Sequence, residues 1–507
     1  MTTLIKNIIL IDGTGGPSFK ADVLIRDRNI MAIGSFPRYK ADTVIYGNES
    51  YLVPGFIDMG SNADRYLTLF SSPQHKDFLT QGITTTLIGQ CGFSLAPSPY
   101  GALHHLIPWT KINAINTNWR SVGEFLDTLE QRLPLGINIG TLVGHRVMRE
   151  DIVNDPRTFR SLSANELRIF RAMLKQTLRE GAFGLSTGLG YYPYQETTYH
   201  ELRALTDIVA EQHGIYTTHL RDEKENLINS IQETIRIAQE TSVTTIISHL
   251  RPFIGFEKSF DAARALIEEK SAKAHVYFHT NPFSESAVSL DSLIPSFAQE
   301  KDREVLYRKL NNPTEAKKII ASFPRLQAPR VIILNAPGME FLNGKTLAEF
   351  AVNRGLTSPK ALLELMKITR LRGVIFYENL NAKKIKEALS SPRALISSDS
   401  PNFDTIAPEQ KPQRSYKTFP EFLSYMQSSH ASLEHVISRI SGLPAKLMEL
   451  PKRGIIAIGY AADMVLLNKD MHPTMVMVNG TTVVHEGNFI EPQSGAHIGN
   501  VLRKKSA

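Results

Sequence analysis

The sequence predicts an α/β protein: a (β/α)8 TIM-like barrel, with a small β-sandwich domain built from both chain termini and a subdomain inserted late in the barrel. Three observations predict it. Eight short β-branched segments recur along the chain, separated mostly by helical periodicity. Nearly all of them end on polar residues, which is where a parallel barrel keeps its chemistry. Alternating, valine-rich segments at the two ends of the chain fall outside this count and need a partner sheet.

The elements follow in order. Residues 1–53 hold "IKNIILIDGTGG", "ADVLIRDRNIMAIG" and "DTVIYGNESYLV", which alternate as short strands. The eight barrel segments are then "VPGFIDM" (53–59), "TTTLIGQC" (84–91), "INIGTLVGH" (137–145), "AFGLSTG" (182–188), "GIYTTHL" (214–220), "TTIISHL" (244–250), "HVYFHTNPF" (275–283) and "RALISSD" (393–399). Amphipathic stretches such as "SVGEFLDTLEQRL" and "SANELRIFRAMLKQTLREG" lie between them, the second closed by a glycine just past its basic last turn. The stretch 284–343 is too long for a barrel connection and reads as the inserted subdomain. It divides the barrel into 54–283 and 344–447, and 448–507, with "GYAADMVLLN" and "PTMVMVNGTTVVHEG", completes the terminal β-domain.

Composition narrows the class of function. Of the 507 residues 42% are hydrophobic and 21% charged, an ordinary balance for a folded chain. No apolar run approaches the length of a bilayer span, and Asp12 interrupts the amino terminus before a signal-peptide core forms, so a cytoplasmic location without a membrane partner is expected. The net charge of +7 is scattered, apart from "LRKK" near the end, which argues against a nucleic-acid partner. A single cysteine excludes an intramolecular disulfide and leaves Cys91 as a small core residue or a working thiolate.

The polar strand ends belong together on one face of a barrel. Cys91, His219 and His249 end the second, fifth and sixth strands and supply three ligands suited to a tetrahedral zinc with one position open. Taken singly, each histidine reads as a strand cap. Asp399 in "ISSDS" ends the eighth strand and faces the open position, where a carboxylate can move a proton from water to a leaving nitrogen; alone it reads as a turn cap. One Zn2+ per chain is the expectation.

These segments resemble the N-acyl-D-amino-acid deacylase (D-aminoacylase) family of the amidohydrolase superfamily. The matching stretches run almost end to end: "PGFID", "QGITTTLIGQCGFSLAP", "LVGHRVMRE", "GAFGLSTGLGYYP", "GIYTTHLRDE", "SHLRP", "NGKTLAEFAVNRGL", "SSDS", "RSYKTFPEFL", "RGIIAIGYAADMVLLN" and "SGAHIGNVLR". The cysteine of "GQCGFS" is the most specific, because many amidohydrolases use a carboxylated lysine to bridge two metals instead. The resemblance implies a mononuclear zinc on Cys91, His219 and His249, with Asp399 as acid and base. It also implies a small-molecule substrate with a free carboxylate, held by Arg414 and Arg251, the latter standing where the family usually has lysine, beside a pocket tyrosine, Tyr191.

The departures cluster at the barrel mouth. The family's His-x-His is Gly60-Ser61-Asn62, the first of the two following aspartates is Ala63, and Asp64 remains. The family's Asp-x-Tyr-Pro-Tyr is His279-Thr280-Asn281-Pro282-Phe283, and its His-Pro-Arg is Pro412-Gln413-Arg414. Asn62 can offer a hydrogen bond and His279 can lean into the vacancy, so both join the expected substrate-binding set. Two functions are carried forward: a zinc hydrolase removing the acyl group from N-acyl-D-amino acids or related amides, and a catalytically weakened binding protein of the same fold.

Overall fold

The computed structural model of the chain describes residues 1–505 apart from 99–102, 104–108, 110–114, 116, 154–158, 271–273, 301, 324–325, 405, 407–410 and 494. All eight expected segments form strands, at Phe56–Asp58, Ile83–Ile88, Asn138–Thr141 continued by Val143–Gly144, Gly184–Gly188, Ile215–His219, Thr244–Ile247, Val276–Thr280 and Ala394–Ile396. They are parallel and follow one another in sequence order, in a three-stranded and a six-stranded ladder. Almost every residue of these strands is buried, which is why they read as continuous β-branched runs rather than alternating ones.

The two ladders meet twice. Leu142 interrupts the third strand, and its N–H donates to Ile88 O at 2.9 Å while Phe183 N donates to Thr141 O at 2.9 Å. At the other junction Asp399 N donates to Gly60 O at 3.1 Å, and the buried Asp58 carboxylate accepts from Ser398 N and Ser398 Oγ at 3.1 and 2.5 Å. Helices separate the strands as their caps dictate: Ser121 with Glu124 and Ser163 with Glu166 close capping boxes at the starts of Val122–Arg132 and Ala164–Arg179.

The chain ends build one nine-stranded sheet. Its centre is Tyr51–Pro54, which runs parallel to Thr2–Leu10 on one side and antiparallel to Met464–Leu467 on the other. A polar knot fastens this sheet to the parallel strands. Asp463 accepts from Asn138 Nδ2 at 3.1 Å and from Asn479 N at 2.7 Å, and it also pairs with Arg453.

A second core belongs to the insertion. Glu285–Ser289, Ile332–Asn335 and Val374–Glu378 form a three-stranded antiparallel sheet with Val374–Glu378 in the middle. Helices Arg303–Asn311, Pro313–Ala321, Leu347–Asn353 and Ser358–Ile368 pack on it around a buried cluster that runs from Leu290 to Ile375. The expected insertion, 284–343, covers the first part of this unit, and the elements of 347–378 share its core. Among the described residues no helix is long and apolar enough to cross a membrane.

Candidate active site

Strand register sets the level of the site. Gly188 stands opposite His219 and Thr280 opposite Ile396, so the polar residues that end or follow these strands share one rim. Three of them leave the strand geometry sharply. Cys91, His249 and Asp399 have φ of 56°, 36° and 44°, the left-handed region that L-residues rarely occupy. The surrounding strands hold them in this conformation.

The ligand atoms of Cys91, His219 and His249 all lie within 4.8 Å of one another, and all three residues are buried. Cys91 Sγ is 3.4 Å from His249 Nε2, and His219 Nδ1 is buried without a hydrogen-bond partner. A thiolate and two imidazoles, one with an idle buried nitrogen, fit a zinc-type ion in both number and chemistry. Burial pushes the Cys91 thiol up, but the His249 charge, hydrogen bonds from both imidazoles and the Arg65 guanidinium outweigh it and hold the thiol well below its ordinary value.

Glu223 organises this group, and sequence reasoning missed it. Its carboxylate lies 3.5 Å from His219 Nε2 and 3.3 Å from His249 Nδ1, and it pairs with the Arg251 guanidinium through two nitrogens. A carboxylate on the far nitrogen of each imidazole fixes the ring and the tautomer. The signal was the i, i+4 spacing from His219 in "HLRDE", which reads as part of a solvated charge run.

Asp399 is held at both oxygens. Asn62 Nδ2 donates to Oδ1 at 3.1 Å and Arg414 Nη1 to Oδ2 at 3.1 Å. Burial pushes the carboxyl up, but Arg414, followed by His249 and Arg251, brings it down to about 2. Arg414 itself is 3% exposed and lies against the Phe376 ring, so it meets Asp399 rather than open space.

His279 stands behind this pair. Its Nδ1 accepts from His249 N at 3.1 Å, which assigns the ring proton to Nε2, and Nε2 is buried without a partner. Burial and the neighbouring His249 charge pull it down to about 3, so it is neutral at any working pH. Gly60 leaves the room it uses: a Cβ there would stand 2.6 Å from Ser397 Oγ and 3.1 Å from His279 Nε2.

A cavity of about 300 Å³ opens over the cluster. Asn62, Tyr191, His219, His249, Arg251 and Asp399 line it, whereas Cys91, Arg414 and His279 do not. Ala287, Val288, Ser289 and Tyr377 bring the inserted unit to its rim. A larger cavity, about 770 Å³, lies between the terminal sheet and helices Leu433–Ile440 and Gly442–Leu447, and it holds none of the predicted residues.

No family model matches the chain. It is 28% identical to a D-aminoacylase of Alcaligenes xylosoxydans xylosoxydans over 98% of its own length and 96% of the relative's. It is also 28% identical to an N-acyl-D-aspartate deacylase of that organism, over 92% and 85%. Among solved structures, an N-acyl-D-glutamate deacylase of Bordetella bronchiseptica, complexed with zinc and a phosphonate inhibitor, has the same fold at a TM-score of 0.80 and 24% identity, with 99% of each chain covered. A D-aminoacylase studied for its binuclear metal centre superposes at a TM-score of 0.79 with 26% identity, again with 99% of each chain covered. Along nearly its whole length the chain is thus similar to D-aminoacylases and N-acyl-D-amino-acid deacylases, and it shares their fold.

Proposed function

We propose that this protein hydrolyses N-acyl-D-amino acids, releasing a carboxylic acid and a free D-amino acid, with one zinc per chain held by Cys91, His219 and His249. One observation carries the reading: Cys91, His219 and His249 bring their ligand atoms within 4.8 Å of one another, and the two histidines line the same cavity as the Asp399 carboxylate. A zinc bound there would supply Lewis acidity toward a carbonyl oxygen and make water a better nucleophile. We also propose that the eight parallel strands act as one (β/α)8 barrel, with the terminal sheet as its β-sandwich satellite and an inserted lid that runs from 284 to about 380.

The chain's own residues divide the remaining work. Arg251 at the cavity wall, with Tyr191 beside it, meets the substrate's α-carboxylate, and the guanidinium fork suits that planar group. Arg414 joins them when it leaves Asp399 for the incoming carboxylate, and this exchange restores basicity to Asp399. Asp399 then takes a proton from the attacking water as the oxygen bonds to the amide carbon, and delivers it to the nitrogen as the C–N bond breaks. Asn62 keeps the carboxylate turned toward the cavity throughout.

The second reading, a binding protein of the same fold with weakened turnover, draws on one observation: both Asp399 oxygens are already engaged. One experiment separates the two. Metal analysis and a release assay on N-acyl-D-amino acids and their L-enantiomers should give about one zinc per chain and D-selective hydrolysis. Asp399→Asn should keep the zinc and lose 100-fold or more in kcat, within the range for a general acid–base group. Cys91→Ala should lose the zinc. Zinc binding without hydrolysis would establish the second reading.

A further inference from the structure

Five lysines and arginines are buried among the described residues, and four of them face an acidic group. Arg149 pairs with Glu201, Arg414 with Asp399 and Lys504 with Glu449, and Arg65 has the Cys91 thiol and the Asp64 charge beside it. Arg439, 8% exposed, makes no ion pair within 4.0 Å among the described residues. Burial pulls its guanidinium down to about 10, with no neighbouring charge to oppose it.

Part of this side chain is structural. Nε and Nη2 donate to Ala394 O at 3.2 and 2.9 Å, and Nη2 also donates to Leu389 O at 2.8 Å, which ties the end of helix Ala382–Leu389 to the start of the eighth strand. The Phe422 ring centroid lies 5.3 Å from the guanidinium carbon and steadies its plane. Two carbonyls satisfy these nitrogens without carrying a net charge, and a buried charge is costly unless an opposite one meets it. Nη1 has no acceptor among the described residues.

Arg439 lines the cavity of about 770 Å³ between the terminal sheet and helices Leu433–Ile440 and Gly442–Leu447. Lys446 lines it too, exposed and without an ion pair among the described residues. Glu449 is the one acid among the described lining residues, and Lys504 takes it at 2.7 Å. The remaining wall is largely apolar, with Met426, Val436, Leu443 and Leu450. The cavity opens at the foot of the eighth strand, whose other end leads to Asp399, and it shares no described lining residue with the cavity over the ligand cluster.

We infer that this cavity is a second binding site, for an organic anion with one carboxylate or phosphate head on an apolar body. The head meets Arg439 Nη1 and Lys446, and the body lies along the apolar wall. Either head offers a guanidinium the oxygens it pairs with. The inference goes beyond the deacylase reading and does not depend on it.

The test is calorimetric titration of the full-length zinc-loaded protein with octanoate and octyl phosphate, and with octan-1-ol and inorganic phosphate as the tail and the head alone. The parent should bind octanoate or octyl phosphate about 10-fold or more tightly than either control, and the tighter of the two identifies the head. Arg439→Met should weaken that binding by about 10-fold or more, the usual worth of a charge-assisted hydrogen bond. Lys446→Glu, a change at an exposed position, should weaken it by 3-fold or more and decides the matter if Arg439→Met does not fold. Arg251→Met, altered in the other cavity, should bind as the parent does. Absence of binding, equal binding of a control, or binding unchanged in Lys446→Glu and in a folded Arg439→Met overturns the inference. So does binding that Arg251→Met loses and Lys446→Glu keeps, which would place the anion over the ligand cluster. None of these results touches hydrolysis, so the deacylase reading stands or falls by its own assay.

Discussion

Gly60 decides how the mouth can change. Restoring the family's two imidazoles with Gly60→His and Asn62→His would drive the new Cβ at 60 to within 2.6 Å of Ser397 Oγ, on a strand end already fixed by the Ser397 Oγ to Gly60 O hydrogen bond of 2.8 Å. The double variant would also take Asn62 from Asp399. Steady-state kinetics should show kcat/KM falling by 10-fold or more; a gain would mean that the parent is a decayed two-histidine enzyme. A second prediction concerns Asp64, whose carboxyl is raised by burial from 3.8 to about 6. Between those values the folded chain holds a proton that the unfolded chain has lost. Stability is therefore fully present below about pH 4 and declines by about 3 kcal/mol as pH rises through 6. Asp64→Asn should flatten that decline, seen as a smaller loss in Tm between pH 4 and pH 8. At this scale the sequence was legible where chemistry ends a strand, as at Cys91, His219, His249 and Asp399. Glu223 was not legible, because its i, i+4 spacing from His219 in "HLRDE" reads as part of a solvated charge run, and only the fold brings it to both imidazoles and Arg251.

Secondary structure was legible wherever local chemistry decides it. Ser163 and Glu166 exchange hydrogen bonds of 3.3 and 2.8 Å, so the start of Ala164–Arg179 is written in four residues. Ser163→Ala should cost about 1 kcal/mol in urea unfolding with no change in metal content. The end of the insertion was less legible for a physical reason. Helices Leu347–Asn353 and Ser358–Ile368 have the amphipathic pattern of barrel crossovers, and their capping residues say nothing about which sheet they cover. Their membership is set by Val374–Glu378, which pairs with strands starting about 90 and 40 residues earlier; such long-range pairing leaves no local trace.

For the whole molecule, the joint between the terminal sheet and the parallel strands rests on few polar groups. Asp463, 8% exposed, is shared by Asn138, Asn479 and Arg453. Asp463→Ala would leave Arg453 and the two asparagines short of partners, a loss of about 3 kcal/mol or more by the usual cost of breaking a buried pair. Calorimetry should record a lower Tm, whereas a loss confined to activity would mean that the joint carries little of the stability.

The placement of Tyr51–Pro54 beside Met464–Leu467 has a consequence for synthesis in the cell. The first sheet strands leave the ribosome early, but their antiparallel neighbour follows roughly 410 residues later. At 5–20 residues per second that interval is on the order of a minute. Through it, the buried edge of Leu52 and Val53 stands open to any other nascent strand. The amino-terminal strands therefore depend on being shielded, by a chaperone or by slow collapse of the parallel strands beside them, and overproduction that outruns such shielding should lead to inclusion bodies seeded by the first fifty residues.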